Sequence, residues 1–219
     1  MPTPRTLSHF HSDTARAETF SDGVLAIVIT LLVLDLRPPN TEPGRLLAGL
    51  LEQWPTYVAY VASYLYVAVV WMNHKAAFMH IRYVDPGLHW ANLGILFTTA
   101  LLPFPTAVMS NAMRVGNLAD EETAVALYAL IGILLCGSWV VFFWYLHRHR
   151  ELTKEHVGEN FFARETARAW AGVLLYAIAG AFGYLATPTV ALAIFVVLPI
   201  FYGLTSHGLD RLPLPRRRP

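Results

Sequence analysis

The sequence predicts an all-α membrane protein with six transmembrane helices. Two features of composition lead to this prediction: 55% of the 219 residues are hydrophobic, whereas only 14% carry a charge. Soluble domains usually contain about 25% charged residues. The third observation is the order of the chain, in which six long apolar runs alternate with short polar or proline-containing segments. Together these observations favour a bundle of membrane helices over a soluble domain.

The first apolar run is the most sharply patterned. Between residues 23 and 34, Thr30 is the only polar side chain. A helix over residues 19–36 would be ~27 Å long, about the thickness of a hydrocarbon core. Ser21 and Asp22 are expected in its first turn, where free backbone N–H groups and the helix dipole favour a hydroxyl and a carboxylate. One face of this helix carries Phe20, Gly23, Ile27, Leu31 and Leu34. This stripe, with Thr30 at its edge, is either a seam of helix packing or the lining of an open space.

Prolines interrupt or end several of the apolar runs. The first run should end before Pro38 and Pro39, because proline cannot continue a helical hydrogen-bond ladder. The third run contains Pro103 and Pro105, which predict a kink whose freed backbone groups need protein partners. The five later runs cover residues 54–71, 88–113, 124–146, 169–186 and 190–204.

Basic residues set the expected orientation. With the amino terminus inside, thirteen of the 16 lysines and arginines lie in inner segments, and Arg37, Arg45 and Arg114 lie in outer loops. We therefore expect a multi-pass protein of the cell inner membrane with both termini in the cytoplasm. The expected organisation is a loose tail at residues 1–15, a six-helix domain at residues 16–207 and a basic tail at residues 208–219.

Enzymatic and metal-binding patterns are missing from the sequence. The single cysteine, Cys136, excludes an intrachain disulfide and the usual cysteine metal motifs. His147, His149 and His156 lie in the inner connector among arginine and lysine residues, which oppose a bound cation. The net charge of +1 argues against a nucleic-acid partner. We expect no enzymatic activity, no metal site and no cofactor.

The first three runs contain a set of unusual motifs. The first helix carries Arg16-x-x-x-Phe20-Ser21-Asp22, then Gly23-Val24, Ala26-Ile27 and Thr30-Leu31-Leu32. The next two runs carry Trp71-x-x-His74, Asn92, and Leu102-Pro103-Phe104 with Thr106. These motifs resemble those of the transmembrane protein 175 family of potassium channels, and beyond the third run only the hydropathy pattern agrees.

This resemblance implies a potassium-selective cation channel whose pore is formed by the first helix in an oligomer. Eukaryotic relatives carry two six-helix repeats and dimerise, so one set of six helices implies a homotetramer, with K⁺ as the permeant ion. In the resembling channels the positions of Ile27, Leu31 and Leu34 project into the pore, with the isoleucine at the narrowest point. Thr30 matches a hydroxyl layer that contributes to potassium preference.

The resemblance also implies a polar network that holds the first helix against its neighbours. Its members are Arg16, Phe20, Ser21, Asp22, Trp71, His74 and Asn92. Without the resemblance, the residues favour purely structural roles. On that basis Asp22 is a helix cap, Trp71 is an interfacial belt residue, and the stripe on the first helix is ordinary packing.

Two alternatives to a channel stay open on the residues alone. A proton- or cation-coupled secondary transporter would usually show inverted repeats, or broken helices with ionisable groups at the midplane. Pro103 and Pro105 supply a break without a mid-membrane charge. An intramembrane enzyme would need a buried nucleophile and base, and Ser63 and Ser138 have no base at a convincing spacing. The TVGYG filter of the usual potassium channels is also missing.

Overall fold

The structure, a computed structural model, describes the backbone of residues 4–158 and 160–205. Within these ranges the regular elements are helices, apart from one isolated β-bridge between Ile81 and Thr153. The basic tail expected at residues 208–219 lies outside the described residues. The helices are α1 (Pro4–Leu31), α2 (Leu46–Glu52), α3 (Trp54–Phe78), α4 (Pro86–Ala100), α5 (Pro103–Val115), α6 (Leu118–Arg148), α7 (Phe161–Leu185) and α8 (Pro188–Thr205).

The expected all-α membrane architecture is confirmed. Five helical segments are long and apolar enough to cross a membrane. They are Thr14–Asp35, Trp54–Phe78, Pro86–Val115, Leu118–Arg148 and Phe161–Leu185. The sixth expected span corresponds to α8, whose apolar part, Pro188–Ile200, is shorter than the other five. The sixth crossing therefore stays a prediction.

The structure corrects the expected limits of the first helix. Residues expected as a loose tail are helical from Pro4 onward, so Ser21 and Asp22 lie in the middle of α1. The expectation that these two residues cap the helix is therefore wrong. The Ser21 hydroxyl instead donates a hydrogen bond to the Ala17 carbonyl oxygen at 2.8 Å, a common arrangement for a serine within a helix. Beyond Leu31 the chain continues as a tighter 3₁₀ turn, Leu32–Asp35, before the prolines.

The third span is broken at the expected place. α4 ends at Ala100, and α5 begins at Pro103. Pro103 and Pro105 lack the N–H groups that would bond the Thr99 and Leu101 carbonyl oxygens, and the backbone N–H groups of Leu102 and Phe104 donate to these two carbonyls instead, each at 3.1 Å. This agrees with the rule that backbone groups freed by a proline in a membrane must find partners within the protein.

Small residues bring α6 and α7 into the most extensive helix contact of the fold. Gly132 faces the ring of Tyr176, and Gly180 faces Ala129 so closely that a side chain there would collide with it. Tyr176 is fully buried, and its ring stacks on Phe195 of α8 with 5.7 Å between centroids. α1 packs against α3 and α4 instead, with one side of the helix attached and the other side open.

Candidate pore helix and its polar support

α1 exposes the stripe that the sequence singled out. The exposed fractions are 61% for Ile27, 44% for Leu31 and 64% for Leu34. Leu34 stays in line with Leu31 because a 3₁₀ turn has three residues per turn. Only 28% of the membrane-spanning window of this helix is buried within the chain, compared with 50% for the spans formed by α3, by α4 with α5, and by α6. α1 therefore presents an aliphatic face that the chain itself does not cover.

The opposite face of α1 is packed into the protein. It repeats about every fourth residue, as expected for a helix attached along one side. Its buried members are Ala17, Ser21, Leu25 and Val28, and the buried Leu32 continues this face in the 3₁₀ turn. This face contacts α3 and α4. The packed face fixes the rotation of α1, so the stripe formed by Ile27, Leu31 and Leu34 points away from the bundle.

Thr30 lies on the exposed side with its hydroxyl proton already engaged. The Oγ1 atom lies 2.8 Å from the Ile27 carbonyl oxygen and 3.1 Å from that of Ala26, and it donates to this pair. A hydroxyl has one proton and two lone pairs, so the lone pairs are left for other partners. The exposed side of α1 thus presents oxygen acceptors at Thr30 beside the apolar Ile27.

A buried chain of hydrogen bonds joins α1 to α4 and α3. The Ser21 hydroxyl donates its proton to the Ala17 carbonyl oxygen, so its own oxygen accepts a hydrogen bond from Asn92 Nδ2 at 2.9 Å. This orients the Asn92 amide so that Oδ1 faces His74 Nε2 at 2.8 Å. His74 must then donate from Nε2, which assigns the tautomer of its neutral ring. The chain therefore has a single direction, from His74 through Asn92 and Ser21 to the backbone of α1.

His74 has little freedom in this position. Its side chain is fully buried, and its ring stacks on Phe78 with 4.3 Å between centroids. Nδ1 has no hydrogen-bond partner among the described residues. A buried polar atom without a partner is destabilising, so the hydrogen bond at Nε2 is the polar contact that holds this ring.

A second contact joins α1 to α3 near the surface. Trp71 Nε1 donates to Asp22 Oδ1 at 2.9 Å, and Lys75 Nζ lies 5.5 Å from the centroid of the Trp71 ring. The Arg16 side chain is exposed and forms no hydrogen bond or ion pair within the described part of the chain, and Phe20 is 57% exposed. Of the seven residues that the resemblance placed in a network, the structure joins three in the buried chain and two in the Trp71–Asp22 contact, and it leaves Arg16 and Phe20 outside both.

Sequence reasoning missed a second set of buried hydroxyls beside the break in the third span. Ser63 of α3 lies 2.7 Å from Thr106 Oγ1 and 3.1 Å from the Tyr128 hydroxyl. Two helical turns earlier on α3, Thr56 Oγ1 accepts a hydrogen bond from Ser110 Oγ at 2.6 Å. The spacing of Thr56 and Ser63 by seven residues, on an otherwise apolar helix, is the pattern that could have indicated this contact. Ser63 has hydroxyl partners rather than a catalytic base.

The three histidines of the inner connector do not come together. His149 stacks on Tyr145 with 4.1 Å between ring centroids, and its Nδ1 lies 3.1 Å from the Tyr145 carbonyl oxygen. Among the described residues, the structure has no group of three or more His, Cys, Asp or Glu side chains that could hold a metal ion.

Comparisons with known proteins all point to one family of ion channels. A sequence profile described as "Endosomal/lysosomal potassium channel TMEM175" matches residues 16–103. A potassium channel of Streptomyces collinus is 32% identical over 207 residues, which cover 94% of this chain and 97% of the relative. The bovine endosomal/lysosomal proton channel TMEM175 is 30% identical over 182 residues, 78% of this chain and 37% of that protein.

A solved structure supports the same likeness. The fold is similar to the crystal structure of a lysosomal potassium-selective channel TMEM175 homologue from Chamaesiphon minutus, with a TM-score of 0.77 and 28% identity. The match covers 88% of this chain and 97% of that one. These relatives are ion channels and not enzymes.

Proposed function

This chain belongs to the TMEM175 family, and we propose that it is a potassium-selective cation channel whose pore is lined by the exposed face of α1. The observation that carries the proposal is the aliphatic stripe of Ile27, Leu31 and Leu34, on the membrane helix least covered by its own chain. Relatives named potassium channels favour this function over the alternative of a proton- or cation-coupled secondary transporter. The permeant ion of the proposal is K⁺, with no cofactor.

The proposed assembly is a homotetramer in the cell inner membrane. One stripe on one helix cannot enclose a pore, whereas rotational symmetry turns each residue of the stripe into a ring. In this assembly residues 16–207 form the channel domain, and both termini lie in the cytoplasm, as the distribution of basic residues favours. Native mass spectrometry in mild detergent should show four chains.

In the proposed tetramer, the exposed side of α1 forms two chemically different rings of side chains around the pore. A ring of Ile27 side chains is apolar, and such a constriction can close a pore by expelling water. Thr30 contributes a ring of hydroxyl oxygens whose protons are held by the helix backbone, so that lone pairs face the permeating ion. Oxygen atoms that replace the water around a cation can distinguish K⁺ from Na⁺. The proposed selectivity therefore needs no TVGYG segment.

The decisive experiment is potassium flux in liposomes that contain the purified protein and a potassium gradient. Ile27→Asn should raise the leak of K⁺ severalfold, because an amide ring holds water at the constriction, while the four-chain mass persists. Ile178→Asn is the matched control, because Ile178 is 65% exposed on α7, away from the proposed pore. Equal flux through wild type and an assembled Ile27→Asn channel would remove the constriction from α1.

The hydroxyl layer is tested by Thr30→Val, which keeps the shape of the side chain and removes its oxygen. The ratio of potassium to sodium flux should fall severalfold, while the total flux continues. Thr19→Val is the control, because the Thr19 hydroxyl forms a similar bond to the preceding turn, at 2.9 Å from the Ala15 carbonyl oxygen, and lies about two turns below Ile27. An unchanged ratio in Thr30→Val would separate Thr30 from selectivity.

A further inference from the structure

α2 presents a continuous apolar surface in the linker between α1 and α3. Its four leucines are exposed, by 56% for Leu46, 71% for Leu47, 39% for Leu50 and 67% for Leu51. At 3.6 residues per turn they fill one arc of about 140° around the helix. Four adjacent leucines would be unfavourable in a linker that faced water alone.

The rest of α2 attaches the helix to the protein and to water. A side chain at Gly49 would collide with Thr41 Cγ2 and lie 3.1 Å from Pro39 Cβ, so the linker crosses this edge of the helix at close range. Gln53, which follows α2, is buried as well, and Glu52 lies on a third, exposed edge. The leucine arc, defined by Leu46, Leu47, Leu50 and Leu51, is the side that the chain does not cover.

The position of α2 relative to a membrane follows from α3. Trp54 and Trp71 are both exposed, at 52% and 42%; Trp54 begins α3, and Trp71 lies seven residues before its end at Phe78. Seventeen residues of helix measure roughly 26 Å, close to the thickness of a hydrocarbon core. Exposed tryptophans favour the two membrane borders. Trp54 therefore marks one border, and α2 ends two residues before it, at Glu52.

A proline separates α2 from α3 at this border. Pro55 has no N–H group with which to bond the Leu51 carbonyl oxygen, and α2 and α3 are separate helices with Gln53 between them. The leucine arc therefore ends three residues before Trp54, next to this border. A short helix with an apolar arc and a polar edge at this level has the pattern of a helix that lies in a membrane interface.

We propose that α2 is an interfacial anchor, whose leucine arc inserts into the boundary between the headgroups and the acyl chains of the bilayer. The arc has only aliphatic side chains, whereas the centres of protein interfaces are enriched in aromatic residues and arginine. Arg45 before the helix and Glu52 at its end leave charges for the headgroup side. The inference needs only the membrane setting and not the proposed conduction. A linker of ten residues, 36–45, ties this anchor to the end of the proposed pore helix.

Spin labelling of the full chain in phospholipid nanodiscs tests the anchor. Leu47→Cys and Leu51→Cys each receive a nitroxide, and collision with oxygen, which concentrates in lipid, is compared with collision with a water-soluble nickel chelate. Leu174→Cys on the exposed side of α7 is the lipid reference, and Glu42→Cys in the linker is the water reference. Cys136 is buried, and the unaltered chain, treated in parallel, reports any labelling of it.

The expected result is an oxygen-to-nickel ratio at Leu47 and Leu51 close to the lipid reference, and at Glu52→Cys close to the water reference. A ratio at Leu47 and Leu51 near that of Glu42 would overturn the proposal, because the arc would then face water. Low collision with both reagents, with dipolar broadening between labels, would overturn it too, since the arc would then lie between copies of the chain. Elution as the wild-type oligomer shows that each labelled variant has folded.

Discussion

The helix pair α6–α7 and the helix α1 are held in the bundle by opposite means. α6 and α7 meet through glycines, with Gly132 against Tyr176 and Gly180 against Ala129. α1 is held by a directed chain of polar contacts, from Ser21 to Asn92 and on to His74, and it leaves most of its surface open. The first contact depends on shape, whereas the second adds directed hydrogen bonds to the packing of a narrow face that includes Leu25 and Val28.

The difference reflects what a membrane does to helix association. Lipid tails solvate apolar side chains as well as a neighbouring helix does, so association needs close packing or hydrogen bonds between helices. Glycine leaves room for close packing between α6 and α7, with Gly132 against Tyr176 and Gly180 against Ala129. Hydrogen bonds let α1 attach along one narrow side, which leaves the face with Ile27 and Thr30 available for the proposed pore.

The largest effect is expected from breaking the shape-dependent contact. A Cβ atom at Gly132 would lie 2.5 Å from Tyr176 Cδ1, and the Tyr176 ring is fully buried and stacked. Gly132→Leu should lower the free energy of unfolding by about 3 kcal/mol, the upper end of the usual cost of an overpacked core. Denaturant titration in mixed micelles measures the change.

The control lies on the same helix. A Cβ atom at Gly137 meets nothing within 4 Å, so Gly137→Leu should stay within about 1 kcal/mol of wild type. Equal losses in both variants would mean that α6 tolerates no larger side chain anywhere, and the argument from close approach to Tyr176 would fail.

The sequence predicted the helices and the stripe better than it predicted their contacts. Apolar runs and prolines are local features, so most spans and the break at Pro103 could be located. The partners of Ser21 could not, because Asn92 is 71 residues away and the contact depends on the rotation of α4. Periodicity could place Ile27, Leu31 and Leu34 on one face, but it could not tell that this face is open.

The two errors around α1 and the missed α2 have a common cause. The residues before Arg16 are polar, so no apolar periodicity marks them as the helical continuation that the structure shows from Pro4. α2 has seven residues, which is too short for a periodic pattern to stand out. In both places a short or polar helix gave no hydropathy pattern from which to predict it.

A smaller effect is expected from breaking the polar support of α1. Asn92→Leu keeps the size of the side chain but leaves His74 Nε2–H without its acceptor in a fully buried site. An unpaired buried donor should lower the free energy of unfolding by about 1–3 kcal/mol. Asn73→Leu is the matched control, because the half-buried Asn73 side chain forms no hydrogen bond with another described residue.

The comparison of Asn92→Leu with Asn73→Leu is decided by the same titration. A loss confined to Asn92→Leu would support the hydrogen-bonded chain as the attachment of α1. If both variants lost the same free energy of unfolding, the loss would follow from replacing either asparagine by leucine. The specific chain from His74 to Ser21 would then contribute little.

The smallest effect is expected at the exposed contact between Trp71 and Asp22. Trp71→Phe removes the Nε1 donor that lies 2.9 Å from Asp22 Oδ1, which should lower the free energy of unfolding by about 0.5–1 kcal/mol.

Asp22→Asn keeps an oxygen acceptor for the indole, so its loss of free energy of unfolding should be smaller still. We expect this variant to lower the fraction of protein found as four chains, and to leave the ratio of potassium to sodium flux nearly unchanged. Native mass spectrometry and the potassium-to-sodium flux ratio measure these two quantities on one preparation. If Asp22→Asn assembled normally but lost its preference for potassium, Asp22 would belong to the ion pathway, and its role as a support of α1 would be wrong.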